Sequence, residues 1–175
     1  MGRLLSRTPL LRFNLTERAP VITTCLWFDT EGEEAANYYV GLFPNSRITD
    51  VSRYGAGGPR PEGTVMTVAF ELDGRSFVAL NGGPEYQFTE AVSFQIACKT
   101  QEDVDRYWAE LAAGGEEGPC GWLKDRFGLS WQVIPDGLGD LLGDPDPGRS
   151  QRAMRAMMGM KKLDLAEMRR AADAS

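Results

Sequence analysis

Apolar and polar positions along this chain predict strands and helices in an order that occurs twice. Val21 to Phe28 is dense in β-branched and aromatic residues and ends at Asp29 and Thr30, the pattern of a buried strand expected to lie centrally in a sheet. Thr30 is the expected cap of a following helix, because Glu31, Glu33 and Glu34 place carboxylates at the positive end of its dipole. The helix buries Ala35, Tyr38, Tyr39 and Leu42, spaced by three and four, and Pro44 stops it. Arg47 to Tyr54 reads as a strand and Gly55 to Pro61 as a loop, since that stretch mixes permissive glycines with φ-locked prolines. Thr64 to Leu72 and Arg75 to Leu80 form a hairpin turned by Asp73 and Gly74.

The same order then begins again. Ala91 to Ala97 is an apolar strand, and Thr100 caps a helix that opens on Glu102 and Asp103 and runs to Leu111 before Gly114 and Gly115. A shift of 69 residues sets Glu34 on Asp103, Tyr38 on Tyr107, Tyr39 on Trp108 and Leu42 on Leu111, all on one helical face. Tyr39 and Trp108 are therefore expected in the core. Glu116 to Lys124 holds one or two short strands, Asp125 to Gly128 is a turn, and Leu129 to Pro135 is a last strand, so an internal duplication is the working reading. Gly137 to Gly148 is expected to be a linker in which Asp144 to Pro147 blocks regular structure. Two helices follow, one with an apolar stripe of Ala153, Met154, Met157, Met158 and Met160, the other with Leu163, Leu165, Met168 and Ala172. The methionines are expected to pack against a core, with a binding groove or a dimer contact as alternatives.

Length fits this division. The chain has 175 residues, of which 42% are apolar, enough for one domain that needs neither disulfides nor a metal to hold it. The domain is set at 21–148, with modules 21–88 and 89–136 plus the linker, preceded by a basic leader at 1–20 expected to be disordered and followed by a helical extension at 149–175. No apolar run reaches the ~20 residues of a membrane helix, and the leader's arginines interrupt any secretion signal. Cys25, Cys98 and Cys120 form no CxxC pair, which fits a reducing compartment, so the cytoplasm is the expected location. Cys25, in an apolar strand, reads as a packing residue.

Charge and the absence of histidine narrow the chemistry. The leader carries four arginines against one glutamate and residues 149–175 seven basic against three acidic side chains, while 21–148 carries eight basic against twenty-one acidic. That middle segment would repel a phosphate backbone, so no nucleic acid is expected as a partner, and without a spanning apolar run no membrane is expected either. The chain contains no histidine, which removes Ser-His-Asp and Cys-His catalysis and any imidazole-ligated metal site.

The twin units, and most tellingly Trp27 to Asp29, Glu34 to Tyr39, Leu80 to Pro84 and Asp125 to Gln132, resemble the vicinal oxygen chelate superfamily of glyoxalase, bleomycin-resistance and extradiol dioxygenase proteins. More narrowly they resemble its PhnB-like branch, the demethylubiquinone methyltransferase-like domains, over about residues 21–135; the Met-rich tail is also similar to this branch. The resemblance implies an α+β fold of two βαβββ modules whose curved mixed sheet encloses a cup-shaped cavity, plus the C-terminal helices, with dimerisation completing the cup. Metal-dependent members place His and Glu ligands on the first and last strands of each module. The matching positions here are Ile22, a site near Ala79 or Asn81, Ala91 and Gln132, a set without a charged donor, so the metal site is expected to be lost. No cofactor is expected, and the remaining route to a cation is an all-oxygen site using Glu90 or another carboxylate. The methyltransferase label finds no support in the glycines: Gly55 to Gly58 runs into Pro59, and Asn81 to Pro84 leads into another strand rather than a helix.

Residues that could face the cup are Trp27, Tyr54, Trp122 and Trp131, as flat apolar surface, or else two or more of them as core. Asn81, Gln95, Lys124 and Gln132 are the polar candidates. The ligand-binding set is thus Trp27, Tyr54, Asn81, Trp122, Trp131 and Gln132; Gln132 divides evenly between ligand contact and structural bonding, Lys124 reads as a solvated charge, and Gln95 can alternate outward. Three readings follow: a metal-free protein binding a small molecule in the cups of a homodimer, an enzyme using an atypical metal or carboxylate and tyrosine chemistry on a small oxygenated substrate, or an interaction role for the tail.

Overall fold

The computed structural model describes residues 22–174, so the reading of the leader lies outside the described residues. Elements follow the expected order: β1 (Thr24–Phe28), α1 (Gly32–Leu42), β2 (Arg47–Arg53), β3 (Val65–Leu72) and β4 (Arg75–Asn81), then β5 (Phe94–Cys98), α2 (Gln101–Ala112), β6 (Glu116–Glu117), β7 (Trp122–Lys124) and β8 (Ser130–Pro135). Three helices close the chain: α3 (Leu138–Leu142), α4 (Pro147–Met158) and α5 (Leu165–Asp173). The strands form two four-stranded mixed sheets with matching order, β1-β4-β3-β2 and β5-β8-β7-β6, and no closed barrel. In each sheet the module's first strand lies parallel to its last, as a βαβββ crossover requires, and the others run antiparallel.

Alternation divides each sheet into an inner and an outer face. Leu26, Phe28, Val68, Phe70, Phe77 and Ala79 are buried on the inner face of the first sheet, and Leu123, Trp131 and Val133 on that of the second. Both helices share this core. Tyr39 is tilted against Trp131 at 5.6 Å and stacked with Phe70 at 6.4 Å, while Phe43 lies flat on Trp131 and on Tyr107, each at 5.3 Å. Tyr39 and Trp108 are core residues, as their helical spacing predicts.

Several expectations are corrected. The first strand is shorter than expected and lies at the sheet edge, because β4 is its one partner among the described residues and Ile22 and Thr23 fall outside it. Cys25 is consequently exposed on the outer face rather than packed. Thr30 does not cap α1: Glu31 is the cap residue and offers no side-chain bond, and the Gly32 amide instead donates to Asn81 Oδ1 at 2.8 Å, so a tertiary contact replaces the local one. Gly32 is needed there, since a Cβ would stand 2.6 Å from that oxygen. The fifth strand starts at Phe94, leaving Ala91 exposed outside it.

Thr100 does cap α2, and reciprocally: its hydroxyl accepts from the Asp103 amide at 3.1 Å while Asp103 Oδ2 accepts from the Thr100 amide at 3.3 Å. Thr100→Ala is expected to cost about 1 kcal/mol in a urea unfolding curve without changing its slope.

The expected linker is also structured. Asp146 caps α4 through the Gly148 amide at 2.8 Å, and Pro147 opens the helix as its first residue instead of blocking it. Leu138, Leu141, Ala153, Leu163, Met168 and Ala172 form a second buried cluster, with Ile134 of β8, Met157 and Met160 packed against it. Met154 and Met158 are exposed. Because Ile134 lies on the outer face of β8, the terminal helices cover one end of that face. Among the described residues no helix is long and apolar enough to cross a membrane.

Candidate functional site

The outer face of the second sheet carries Gln95, Trp122, Lys124, Ser130 and Gln132, which pairing brings together: Lys124 lies opposite Ser130, and Gln132 opposite both Trp122 and Gln95. A cavity of about 400 Å³ opens here, lined by Glu90, Glu116, Trp122, Lys124 and Ser130 beside the Gly118–Pro119 turn. Trp122 is half-buried in its wall. Ser130 is 1% exposed, and its hydroxyl has no hydrogen-bond partner among the described residues. Leaving such a group unpaired costs roughly 1–3 kcal/mol, so a serine held in this state needs a reason.

An ion pair stands at the rim. Lys124 Nζ is 2.6 Å from Glu90 Oε1; the ammonium holds the Glu90 carboxyl below its ordinary range, and the carboxylate raises the lysine. Glu117 is engaged differently, accepting from the Trp108 indole at 2.9 Å and lying 3.5 Å from Lys161. Gln132 is half-buried and donates through Nε2 to Ser93 Oγ at 2.8 Å, which leaves its carbonyl oxygen without a partner among the side-chain bonds described.

A second cavity, about 670 Å³, shares Glu116 and Lys124 with the first and is lined further by Trp27, Tyr86, Arg126 and Phe127. The Trp27 indole donates to the Gly83 carbonyl at 2.8 Å, and Tyr86 meets its ring edge-on at 5.0 Å. Gly82 lies flat against that ring, where a Cβ would approach to 2.3 Å. The Gly82–Gly83 pair therefore seats Trp27, and Gly55 to Gly58 lies in the loop between β2 and β3; neither cluster opens a helix.

The remaining predicted site residues are placed apart from these. Tyr54 is buried and donates to the Asn81 carbonyl at 2.7 Å. Asn81 borders a third cavity of about 460 Å³ beside Arg60, but its amide is spent on the Gly32 amide and the Val65 carbonyl. Trp131 is 3% exposed and belongs to the core. Its indole donates to Asp125 Oδ2 at 2.8 Å, as does the Tyr39 hydroxyl at 2.8 Å, while Asp125 Oδ1 accepts from the Phe127 and Leu129 amides at 2.9 and 3.0 Å. Burial pushes the Asp125 carboxyl up against the pull of those four donors, and burial beside this carboxylate raises the Tyr39 hydroxyl.

The positions matching the superfamily's metal ligands do not fit a divalent cation. Ile22 is fully exposed ahead of β1, Ala91 is exposed, Ala79 faces the core, Asn81 is engaged, and Gln132 is neutral. The all-oxygen route through Glu90 meets the Lys124 ammonium at that carboxylate. Among the described residues no group of three or more Cys, Asp or Glu is placed to hold a metal ion.

Sequence reasoning missed Ser130, Glu116 and the role of Asp125. A serine in a strand otherwise written Trp-Gln-Val-Ile was the available signal for the first. For Asp125 the turn alone was visible, because its tyrosine partner is 86 residues away.

Residues 20–134 match the model of the 3-demethylubiquinone-9 3-methyltransferase family. A PhnB protein from Bacillus cereus superposes with a TM-score of 0.59 at 36% identity, covering 65% of this chain and 98% of that one. The protein PA1353 from Pseudomonas aeruginosa shares the fold with a TM-score of 0.55 at 20% identity, covering 67% and 98%. The family match ends before α3, so the terminal helices lie outside it. No curated protein matches the chain. The twin modules, their strand order and the matched stretch together place this chain in the PhnB-like, 3-demethylubiquinone-9 3-methyltransferase-like family of the vicinal oxygen chelate superfamily.

Proposed function

We propose that this protein binds a small molecule on the outer face of its second sheet without a resident metal ion, and that two copies pair to enclose the site. One observation carries the reading: the Ser130 hydroxyl is buried and unpartnered at a cavity whose other walls are Trp122, Lys124 and the Glu90 and Glu116 carboxylates. Such a pocket is chiefly apolar with few polar groups converging on it, the usual character of a ligand site. Pairing of two copies is supported by β1, an edge strand whose outer side has no partner strand among the described residues, and by Val78 and Leu80, half-buried on the outer face beside it. The cytoplasm remains the proposed location, from the three free cysteines.

Metal analysis of protein purified without chelators tests the metal-free part: less than about one-tenth of an equivalent of any divalent ion is expected, and a stoichiometric ion overturns it. A thermal-shift screen across small metabolites tests the binding part, since a ligand at 100 times its Kd raises stability by about 2.7 kcal/mol. Gln132→Leu is expected to weaken any such ligand while the fold survives, because the side chain is half-buried and its one side-chain partner is Ser93. Unchanged affinity would remove Gln132 from the site. Sedimentation equilibrium tests the pairing, with a mass near twice 19.3 kDa expected.

A further inference from the structure

We infer that the ligand of the Ser130 cavity is a flat organic cation, a ring system bearing one protonated nitrogen. This rests on the binding reading above and adds the chemical class. Three carboxylates and a single ammonium line the cavity. Glu90 is neutralised by Lys124, and Glu117 is held by Trp108 and Lys161. The Glu116 side chain makes no hydrogen bond or ion pair among the described residues, and the one ammonium near it, Lys124, is already paired with Glu90, so the cavity keeps an excess of negative charge. It lies opposite Lys124 in the β6–β7 pairing, at the point where the two cavities meet.

The rest of the wall suits a flat ring. Trp122, Leu123 and Pro119 offer apolar surface, and an indole face attracts a cation as well as a neutral ring. Ser130, buried among them, can accept from a ligand N–H, which would satisfy the hydroxyl the protein leaves unpaired. The surrounding charge has the same sign even with the basic terminal helices included, because residues 21–175 carry twenty-four acidic against fifteen basic side chains.

The probes are 9-aminoacridine, a planar cation at neutral pH, and acridine, the same ring system without the charge. Binding is read by fluorescence anisotropy with the full chain at pH 8. The cation is expected to bind about tenfold tighter than acridine, with the difference shrinking as salt is raised. Glu116→Gln, at an exposed position that puts no packing at risk, should bring the two probes to within about twofold of each other. Ser130→Ala should weaken the cation severalfold while leaving the melting temperature unchanged or higher, because it deletes an unpaired buried hydroxyl. A merely structural serine would raise the melting temperature and leave affinity alone.

Equal affinity for the two probes, with both weakened by Trp122→Ala, overturns the cationic class and leaves the cavity as a binding site. Tighter binding of the cation that persists in both Glu116→Gln and Ser130→Ala overturns the assignment to this cavity. Binding of neither probe overturns the class, while the metabolite screen decides the parent reading independently.

Discussion

Asp125→Asn is expected to destabilise the protein by about 3–5 kcal/mol, the range for removing one member of a buried charged network. All four groups facing this side chain are donors: the Tyr39 hydroxyl, the Trp131 indole and the Phe127 and Leu129 amides. A carboxylate accepts from all of them. An asparagine must turn its own N–H groups toward one pair of those donors, and an indole or a backbone amide cannot reverse to accept. Chemical denaturation of the two proteins measures the loss. Its pH dependence has a definite sign. The folded carboxyl is raised above its unfolded value by burial, so its titration contributes stability that is complete below the unfolded value and fades as pH rises through the folded one. The gap between wild type and Asp125→Asn should therefore narrow from acid toward neutral pH. A gap that widens over that interval would show that the four donors outweigh burial.

Gly121→Ala is expected to cost about 2–4 kcal/mol and to loosen the terminal helices from the sheet. Gly121 has a φ of +84°, which alanine adopts only with strain, and a Cβ there would lie 2.8 Å from the Val133 carbonyl oxygen and 3.0 Å from Leu163 Cδ1. Neither neighbour can retreat freely. The Gly121 amide donates to the Lys161 carbonyl at 2.7 Å, its own carbonyl accepts from the Val133 amide at 2.8 Å, and Leu163 is fully buried. Alanine thus strikes the joint between β8 and the segment joining α4 to α5. Faster amide exchange confined to α4 and α5 would report the loosening. Equal protection of those helices in the variant would mean that Cys120 and Gln101, which also bond the 157–163 segment, hold them unaided.

The fold was largely legible because its signals are local. The spacing of Tyr38, Tyr39 and Leu42, and of Tyr107, Trp108 and Leu111, fixed both helices and their inward faces, and the 69-residue shift carries α1 from Gly32 onto the start of α2 at Gln101. Asp73 and Gly74, both at positive φ, turn the β3–β4 hairpin where the sequence predicts. Errors fell where distant groups decide. Nothing near Thr30 reveals that Asn81, 49 residues beyond Gly32, supplies the cap of α1. Composition made β1 look interior, whereas pairing put it at an edge.

The candidate site was less legible, because strand composition names residue types but not faces. Trp122 and Trp131 look alike in sequence, and the eight residues between them, which include the turn, do not reveal which side each takes. Pairing settles it: Trp131 sits against Leu123 on the inner face, while Trp122 and Gln132 share the outer one. Of the six predicted residues, Trp122 lines the cavity that holds Ser130, Gln132 adjoins it, and Trp27 lines its neighbour; Tyr54, Asn81 and Trp131 are spent on the protein's own bonds.

The terminal helices rest on Ile134 of the second sheet, and the first sheet has no counterpart to them among the described residues. Two halves built to one plan have thereby become unequal. Among the described residues one outer face is walled at one end by an added annex, while the other is left without one. Mutations that shorten that annex would then uncover the Ile134 end of the second sheet and leave the first as it was.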